Sequence, residues 1–176
     1  MKKDNKKNKY GFLSRFYPMY IYDKVEDIPY ELIDKENIKF IIFDMDNTLI
    51  DTNKKYNKKL KDWIIGIKER GIRVYILSNS PFEKKVKKIA SELGMEYKYK
   101  ASKPFLKGFK EVLKETTEDK NSIMMIGDQI FTDIWGANRI GIKNILVKPI
   151  NKKESFVSKI KRPLERMILK RYEKIK

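Results

Sequence analysis

Two carboxylates at the end of an apolar run are the residues in this sequence best suited to chemistry. Asp44 and Asp46 are separated by one residue and follow directly after the apolar residues 40–43. A short apolar run of this kind predicts a buried strand of a parallel sheet, and side chains two apart in an extended chain point the same way. Two acids this close raise each other's pKa unless a cation or a division of labour resolves the conflict. The spacing therefore predicts a divalent metal, an acid/base pair, or both.

The residue types that are missing restrict the kind of site. The sequence contains no cysteine and no histidine, so disulfides, thiolate metal sites and imidazole proton shuttles are excluded. Any metal must be bound by oxygen ligands, which favours Mg²⁺. General acid and base chemistry must be carried out by Asp, Glu, Lys or Tyr.

The net charge of +17 predicts an anionic partner, such as a phosphorylated substrate, nucleic acid or acidic lipid. The basic residues are concentrated at both ends of the sequence. Residues 1–9 contain five Lys and one Asp, and residues 151–176 contain ten Lys plus Arg and three Glu. A generally lysine-rich composition without a specific partner is the alternative explanation.

The length of 176 residues predicts one folded domain. The basic composition of the two ends predicts an extension on each side of it. We expect residues 1–9 to be a disordered leader, residues 10–150 to form the domain, and residues 151–176 to form an amphipathic helical tail. The tail is suited to an anionic membrane surface, or alternatively packs on the domain with its basic face in water. No apolar run resembles a membrane span or a signal peptide. We therefore expect a cytoplasmic protein, peripheral on the inner face of the cell membrane if the tail binds lipid.

Apolar runs that predict strands alternate with segments of helical spacing. The expected strands are 40–43, 73–77, 97–99, 123–126 and 145–147; the expected helices are 27–35 with Asp27 as N-cap, 56–67, 86–93, 105–113 and 134–140. This alternation predicts an α/β fold with a doubly wound, mostly parallel, Rossmann-like sheet. The aromatic-rich segment 10–22 has no clean period and is expected to be an arm over the sheet or an apolar contact surface.

Polar residues follow four of the predicted strands. They are Asp44 with Asp46, Ser78, Lys103, and Asp128 with Asp133. Each alone could serve as a cap, turn or surface residue. Because the carboxyl ends of parallel strands meet at one edge of a sheet, we expect these side chains to converge on a single cleft.

In this combination the sequence resembles the haloacid dehalogenase (HAD) superfamily of phosphatases. The Asp-x-Asp-x-Thr motif of that superfamily matches residues 44–48, its Ser or Thr matches Ser78, its Lys matches Lys103, and its acidic motif matches Asp128 with Asp133. Beyond these motifs, the matching stretches are 17–18, 38–42, 103–105, 127–141 and 145–150, which resemble the YqeG-type branch of subclass IIIA. That branch is similar to phosphatidylglycerophosphate phosphatases.

The resemblance implies a role for each matched residue. Asp44 is expected to attack phosphorus and form an aspartyl-phosphate, and Asp46 is expected to protonate the leaving group and later to activate water. Ser78 and Lys103 are expected to contact the phosphoryl oxygens.

The resemblance also implies further phosphate contacts and a metal site. Thr48 and Asn79 are expected to help bind the phosphate. The expected ligands of Mg²⁺ are Asp44, the backbone carbonyl of Asp46, Asp128 and, as a further or outer ligand, Asp133.

The spacing of the motifs leaves no room for a cap domain. Residues 50–78 and 80–103 each have space for one helix and one strand. An uncapped cleft admits large or surface-presented substrates and gives up the water exclusion that a lid provides. A lipid head group, a phosphoprotein or a nucleic-acid end is therefore favoured over a small sugar phosphate.

The leading hypothesis is a Mg²⁺-dependent HAD phosphatase that hydrolyses phosphatidylglycerophosphate at a membrane surface. The alternatives are a soluble phosphatase for nucleotides or phosphoproteins, a receiver-like phosphorylation switch, and a non-catalytic RNA-binding or ribosome-associated module. Asp46 argues against the switch, because a receiver has no need of an acid for a leaving group.

Overall fold

A sheet of six parallel strands organises the residues that this computed structural model describes, 11–151 and 156–174. The strands are β1 (Tyr20–Tyr22), β2 (Phe40–Phe43), β3 (Arg73–Leu77), β4 (Glu96–Lys98), β5 (Ile123–Gly127) and β6 (Lys143–Val147). Their order across the sheet is β1-β6-β5-β2-β3-β4, and every neighbouring pair is parallel. The predicted doubly wound α/β fold is confirmed.

Six α-helices connect and cover these strands within the described residues. They are α1 (Tyr30–Lys35), α2 (Lys58–Glu69), α3 (Glu83–Leu93), α4 (Leu106–Lys114), α5 (Trp135–Ile140) and α6 (Phe156–Glu173). The shorter helical segments are three 3₁₀ turns, Phe12–Phe16, Val25–Asp27 and Lys120–Ser122, and one π-helical turn, Ile130–Ile134. Between residues 11 and 151, no connection forms a separate lid domain.

β2 lies inside the sheet because its side chains are apolar on both faces. Ile41 and Phe43 pack in the cluster under α2 and α3, whereas Phe40 and Ile42 pack in the cluster under α4 and α5. A strand covered on both faces reads as a continuous apolar run, which is why the sequence predicts it well. The chain leaves β2 towards β3 on one side and later returns to β5 on the other. The carboxyl end of β2 therefore lies at the topological switch point, where open α/β sheets bind ligands.

The predicted start of the first helix was wrong. Asp27 ends a 3₁₀ turn instead of capping an α-helix, and α1 begins three residues later at Tyr30. The reason is Pro29, which disfavours the α conformation in the preceding residue, and Ile28 is extended with a ψ of 117°.

The aromatic segment forms an edge strand that the sequence analysis missed. After the 3₁₀ turn, β1 pairs with β6, and Tyr20 lies opposite Ile145. The strand has three residues, too few for an alternating pattern to be recognised. The preceding turn packs on the π-helical turn and on α5, because the Phe16 ring lies 5.3 Å from the rings of Phe131 and Trp135.

The described second half of α6 packs on the domain. The buried Ile168 belongs to an apolar cluster with Ile130 and Ile134, and Glu165 is also buried. Leu164 and Met167 point away and are about half exposed, at 50% and 56%. The predicted leader 1–9 and the tail residues 152–155 and 175–176 lie outside the described residues. None of the described helices is long and apolar enough to cross a membrane.

Candidate active site

Asp44 is fixed at the end of β2 by the sheet itself. Its backbone N–H donates to the carbonyl of Ile126 at 2.9 Å, which continues the pairing of β2 with β5 by one residue. Its side chain is 10% exposed, and Oδ1 lies 2.6 Å from Nζ of Lys103. The carboxylate therefore lies at the carboxyl end of β2 and is almost completely shielded from solvent.

Lys103 connects two of the acids. Besides Asp44, its Nζ contacts Oδ1 of Asp133 at 2.8 Å, and the Lys103 side chain is 1% exposed. The backbone of Lys103 is held by Asn79, whose Oδ1 accepts from the Lys103 N–H at 2.7 Å and whose Nδ2 donates to the Lys103 carbonyl at 2.9 Å. The Asn79 amide thus fixes the loop that presents the ammonium group.

The segment after β5 supplies Asp128 and Asp133. Asp133 lies in the π-helical turn, and its Oδ2 accepts from the Gln129 N–H at 3.1 Å. The turn packs so closely on the strand end that residue 127 must be glycine. A Cβ there would lie 2.5 Å from Cγ of Asp133 and closer still to Oδ2. Real Cβ atoms do not approach other heavy atoms so closely.

One carboxylate oxygen from each of Asp44, Asp128 and Asp133 lies within 4.8 Å of the other two. We call these three acids and Lys103 the carboxylate cluster. All four residues are buried. The cluster combines three carboxyl groups with one ammonium group, and the ligand atoms that the acids offer are all oxygens. Both properties fit a hard divalent cation.

Burial is the main influence on the pKa values in the carboxylate cluster. Burial raises the pKa of Asp44 to about 7, Lys103 acts in the opposite direction, and Asp133 raises the pKa further. Burial alone would lower the pKa of Lys103, but the neighbouring Asp133 and Asp44 outweigh it and raise that pKa. A cation beside Asp44 would favour its ionised form.

Asp46 is in a different environment from Asp44. Its side chain is 47% exposed, and its Oδ1 contacts the ammonium group of Lys85, on α3. Met45 between the two acids is buried, and Asn47 turns the chain with a φ of 65°. The chain leaves the extended conformation after the strand, so Asp44 lies in the cluster while Asp46 lies at its solvent side.

The predicted phosphate contacts Ser78 and Thr48 are both buried. The hydroxyl of Ser78 accepts from the Ser80 N–H at 3.1 Å, which shapes its own loop. The hydroxyl of Thr48 makes no hydrogen bond to any residue that the structure describes. A buried hydroxyl without a partner is costly, so this group is suited to bind a ligand.

The structure thus brings Asp44, Lys103, Asp128 and Asp133 into one cluster and leaves the Asp46 carboxylate outside it. Sequence reasoning missed two residues beside the site. Lys85 is one of four lysines in α3 and nothing in the sequence distinguishes it. Glu165 accepts from the Ile130 N–H at 2.9 Å, where the π-helical turn begins. The one signal in the sequence is that Glu165 occupies a position on the apolar face of α6, three residues before Ile168.

A family model described as mitochondrial PGP phosphatase, where PGP is phosphatidylglycerophosphate, matches residues 12–151. The chain belongs to this PGP phosphatase family. The enzyme class is therefore a phosphoric monoester hydrolase, acting on phosphorylated compounds. The predicted relationship to the YqeG-type branch and to phosphatidylglycerophosphate phosphatases is confirmed.

Two relatives show how far the similarity of this PGP phosphatase family member extends. It is 36% identical over 155 residues to the probable phosphatase YqeG of Bacillus subtilis (strain 168), covering 88% of this chain and 90% of that protein. It is 28% identical over 159 residues to phosphatidylglycerophosphate phosphatase 1, chloroplastic/mitochondrial, of Arabidopsis thaliana. The match covers 82% of this chain but only 44% of the Arabidopsis protein.

Solved structures support the fold. An uncharacterized protein from Listeria monocytogenes serotype 4b superposes with a TM-score of 0.53 at 22% identity, covering 66% of this chain and 85% of that one. A putative 3-deoxy-D-manno-octulosonate 8-phosphate phosphatase from Vibrio cholerae gives a TM-score of 0.50 at 11% identity, covering 73% and 83%. At these identities the likeness shows the fold alone.

Proposed function

We propose that this phosphatase hydrolyses the terminal phosphomonoester of phosphatidylglycerophosphate in two steps, with Asp44 as the nucleophile and Mg²⁺ as the cofactor. The observation that carries the proposal is the contrast between the two acids. Asp44 lies in the buried carboxylate cluster, 2.6 Å from Lys103, whereas Asp46 is half exposed beside it. A phosphatase needs one carboxylate that attacks and another that moves protons.

In the first step, an Asp44 oxygen attacks phosphorus while the bond from phosphorus to the leaving oxygen breaks. Asp46 gives its proton to that oxygen, so a neutral alcohol departs and an aspartyl-phosphate remains on Asp44. The ammonium group of Lys103 offsets negative charge on Asp44 and the phosphoryl oxygens. The hydroxyls of Ser78 and Thr48 donate hydrogen bonds to the same oxygens.

In the second step, Asp46 takes a proton from water as the water oxygen attacks phosphorus. The bond between phosphorus and Asp44 breaks, inorganic phosphate leaves, and both acids return to their starting states. Asn79 acts through Lys103, because both hydrogen-bonding atoms of its amide hold the Lys103 backbone. We therefore assign Asn79 a positioning role for the phosphate.

The residues that would hold Mg²⁺ are Asp44, Asp128 and the backbone carbonyl of Asp46. Asp133 serves as an outer partner, since its two oxygens already contact Lys103 and the Gln129 N–H. When bound, Mg²⁺ neutralises charge on the carboxylates and the phosphoryl group. The excess of buried carboxylates in the cluster supports a divalent cation of this kind.

The substrate proposal rests on the relatives and on the open site. One relative is named a phosphatidylglycerophosphate phosphatase, and within residues 11–151 no lid separates the site from a substrate held in a membrane. The tail region 151–176 is proposed to contribute to contact with the anionic membrane surface. The exposed Leu164 and Met167, with the basic Lys170 and Arg171 on the same helix, support this contact.

The test compares phosphatidylglycerophosphate in mixed micelles with glycerol 3-phosphate and a nucleoside monophosphate. We expect the lipid to have the highest kcat/KM, by about tenfold or more, and chelation to abolish activity until Mg²⁺ is restored. Acid-quenched protein should carry phosphate on Asp44. Metal-independent turnover would contradict the cofactor, and an equal or higher kcat/KM for a soluble monoester would contradict the substrate.

A further inference from the structure

A groove rich in lysine lies beside the active site, and none of the proposed roles uses it. Its lining residues are Lys54, Phe82, Lys84, Lys85, Lys88, Ile89 and Glu92, and its volume is about 580 Å³. We call it the lysine groove. It lies between the turn after the Asp-x-Asp motif and one side of α3. Four ammonium groups against one carboxylate give it a strong positive charge.

The lysine groove begins where the leaving group must lie. Lys85 contacts the Oδ1 of Asp46, the acid that is proposed to protonate the leaving oxygen. Whatever is bonded to that oxygen on the side away from phosphorus therefore lies next to Lys85. The lysine groove extends from this point along α3.

The lysines of the groove are poorly compensated by acids. Lys54 and Lys84 are exposed and form no ion pair with any residue in 11–151 or 156–174. Lys88 lies 3.9 Å from Glu92, a long distance for an exposed pair. Ammonium groups gathered in one concave surface repel each other and raise the local concentration of anions. Such a surface fits an anionic group, of which phosphate is one.

We propose that the lysine groove binds a second phosphate group of the substrate, located on the leaving-group side of the scissile bond. The proposal rests on the proposed function and deepens it, because the terminal phosphomonoester of phosphatidylglycerophosphate is joined through one glycerol to a phosphodiester. The lysine groove then selects substrates that carry two phosphates a short distance apart. It does so without contacts to the acyl chains.

The first experiment uses two water-soluble substrates and no lipid. The deacylated head group of phosphatidylglycerophosphate carries the second phosphate, whereas glycerol 3-phosphate does not. In the triple variant Lys54→Gln, Lys84→Gln, Lys88→Gln, we expect kcat/KM for the head group to fall about tenfold, mainly through KM. The value for glycerol 3-phosphate should stay within about twofold.

A matched control removes the same charge elsewhere. Lys59, Lys61 and Lys87 are exposed residues of α2 and α3 that do not line the groove. Their triple change to Gln should leave the ratio of the two substrates unchanged. An equal loss for both substrates in the groove variant, or the same loss in the control, would mean general attraction of anions and would overturn the proposal.

A binding measurement keeps the proposal separate from the proposed function. Calorimetric binding of the head group and of glycerol 3-phosphate to Asp44→Asn protein requires no turnover. The proposal is supported if the head group binds more tightly than glycerol 3-phosphate and the three groove changes remove this difference. That result holds even if wild-type protein does not hydrolyse the head group. In that case only the proposed substrate fails. Equal affinity for the two ligands overturns the proposal. So does a groove variant that loses activity on phosphatidylglycerophosphate in vesicles but binds the soluble head group as wild type does, because the lysines would then contact membrane head groups.

Discussion

Two clusters of acids and lysine in this molecule have opposite electrostatic characters. In the carboxylate cluster, three buried acids share one lysine, and burial raises the pKa of Asp44. At the other edge of the sheet, Glu36 lies 2.8 Å from Lys143 and accepts a hydrogen bond from the Tyr20 hydroxyl at 2.7 Å. We call Tyr20, Glu36 and Lys143 the edge cluster. There the partners lower the pKa of Glu36.

The difference indicates which cluster serves stability and which serves function. A lowered pKa means that the folded state favours the charged acid, so the edge cluster stabilises the fold. A raised pKa means that the folded protein holds Asp44 in an environment unfavourable to its charge. Such an arrangement is typical of sites whose electrostatics are completed by a ligand. Mutations should therefore separate the two clusters by the property that they change.

The largest expected effect is the loss of activity in Asp44→Asn. Because the amide cannot act as a nucleophile, kcat/KM should fall by about 10³-fold or more for every phosphomonoester. The free energy of unfolding should change by less than about 1 kcal/mol, since relief of the desolvated charge offsets the lost contact with Lys103. Phosphate release and denaturant unfolding measure the two effects. Asp119→Asn, an exposed acid, is the control, and a loss of activity below tenfold would refute the role of Asp44.

Gly127→Ala should displace an acid of the carboxylate cluster by crowding it at the end of β5. The new Cβ would displace Asp133, which contacts Lys103, so kcat/KM should fall by about 10²-fold. Stability should fall by about 1–3 kcal/mol because the strand end is overpacked.

Gly71→Ala is a suitable control for this change. Residue 71 has a φ of +74° and nothing within 4 Å of a Cβ, so alanine there is strained but not crowded. It should cost about 1 kcal/mol of stability and leave activity intact. Equal kcat/KM for the two variants would show that the close packing of Asp133 on the strand end has no functional importance.

The carboxylate cluster was largely predictable from sequence, whereas the residues that support it were not. Asp44 and Asp128 follow apolar runs that predict buried strands. The order of the motifs along the chain then predicts that Lys103 and Asp133 lie at the same edge of the sheet. Glu165 supports Asp133 through a backbone N–H that lies 35 residues earlier in the chain. Such long-range pairs leave no periodic signal in a single sequence. The sequence predicts Asn79 as a phosphate contact, whereas the structure shows that its amide holds the Lys103 backbone.

Glu165→Ala tests whether the carboxylate cluster depends on α6. The change leaves the buried N–H of Ile130 without its acceptor, which should cost about 2 kcal/mol of unfolding free energy. Activity should fall only about threefold, because Asp133 keeps its contact with Lys103. Glu165→Gln retains an oxygen acceptor and should recover most of the stability. Glu173→Ala, an exposed change on the same helix, should have no effect; an equally stable Glu165→Ala protein would show that α6 does not support the turn.

The smallest expected effect concerns the edge cluster and its dependence on pH. Glu36→Gln removes the charge that pairs with Lys143 and should lower stability by about 1 kcal/mol at neutral pH, with activity unchanged. Because the folded-state pKa of Glu36 lies below its ordinary value of 4.5, its contribution is complete above that value and is lost as pH falls through the folded-state pKa. The difference in unfolding free energy between wild type and Glu36→Gln should therefore shrink on acidification from about pH 6 to about pH 3.

The control for this pH dependence is Glu118→Gln, because Glu118 is exposed and forms no ion pair within residues 11–151 and 156–174. Its unfolding free energy should follow that of wild type at each pH. A gap between wild type and Glu36→Gln that stays constant on acidification would show that the charge of Glu36 does not stabilise the fold. A loss of phosphatase activity in Glu36→Gln at unchanged stability would remove the distinction between the two clusters, because an acid with a lowered pKa at the far edge would then serve the reaction.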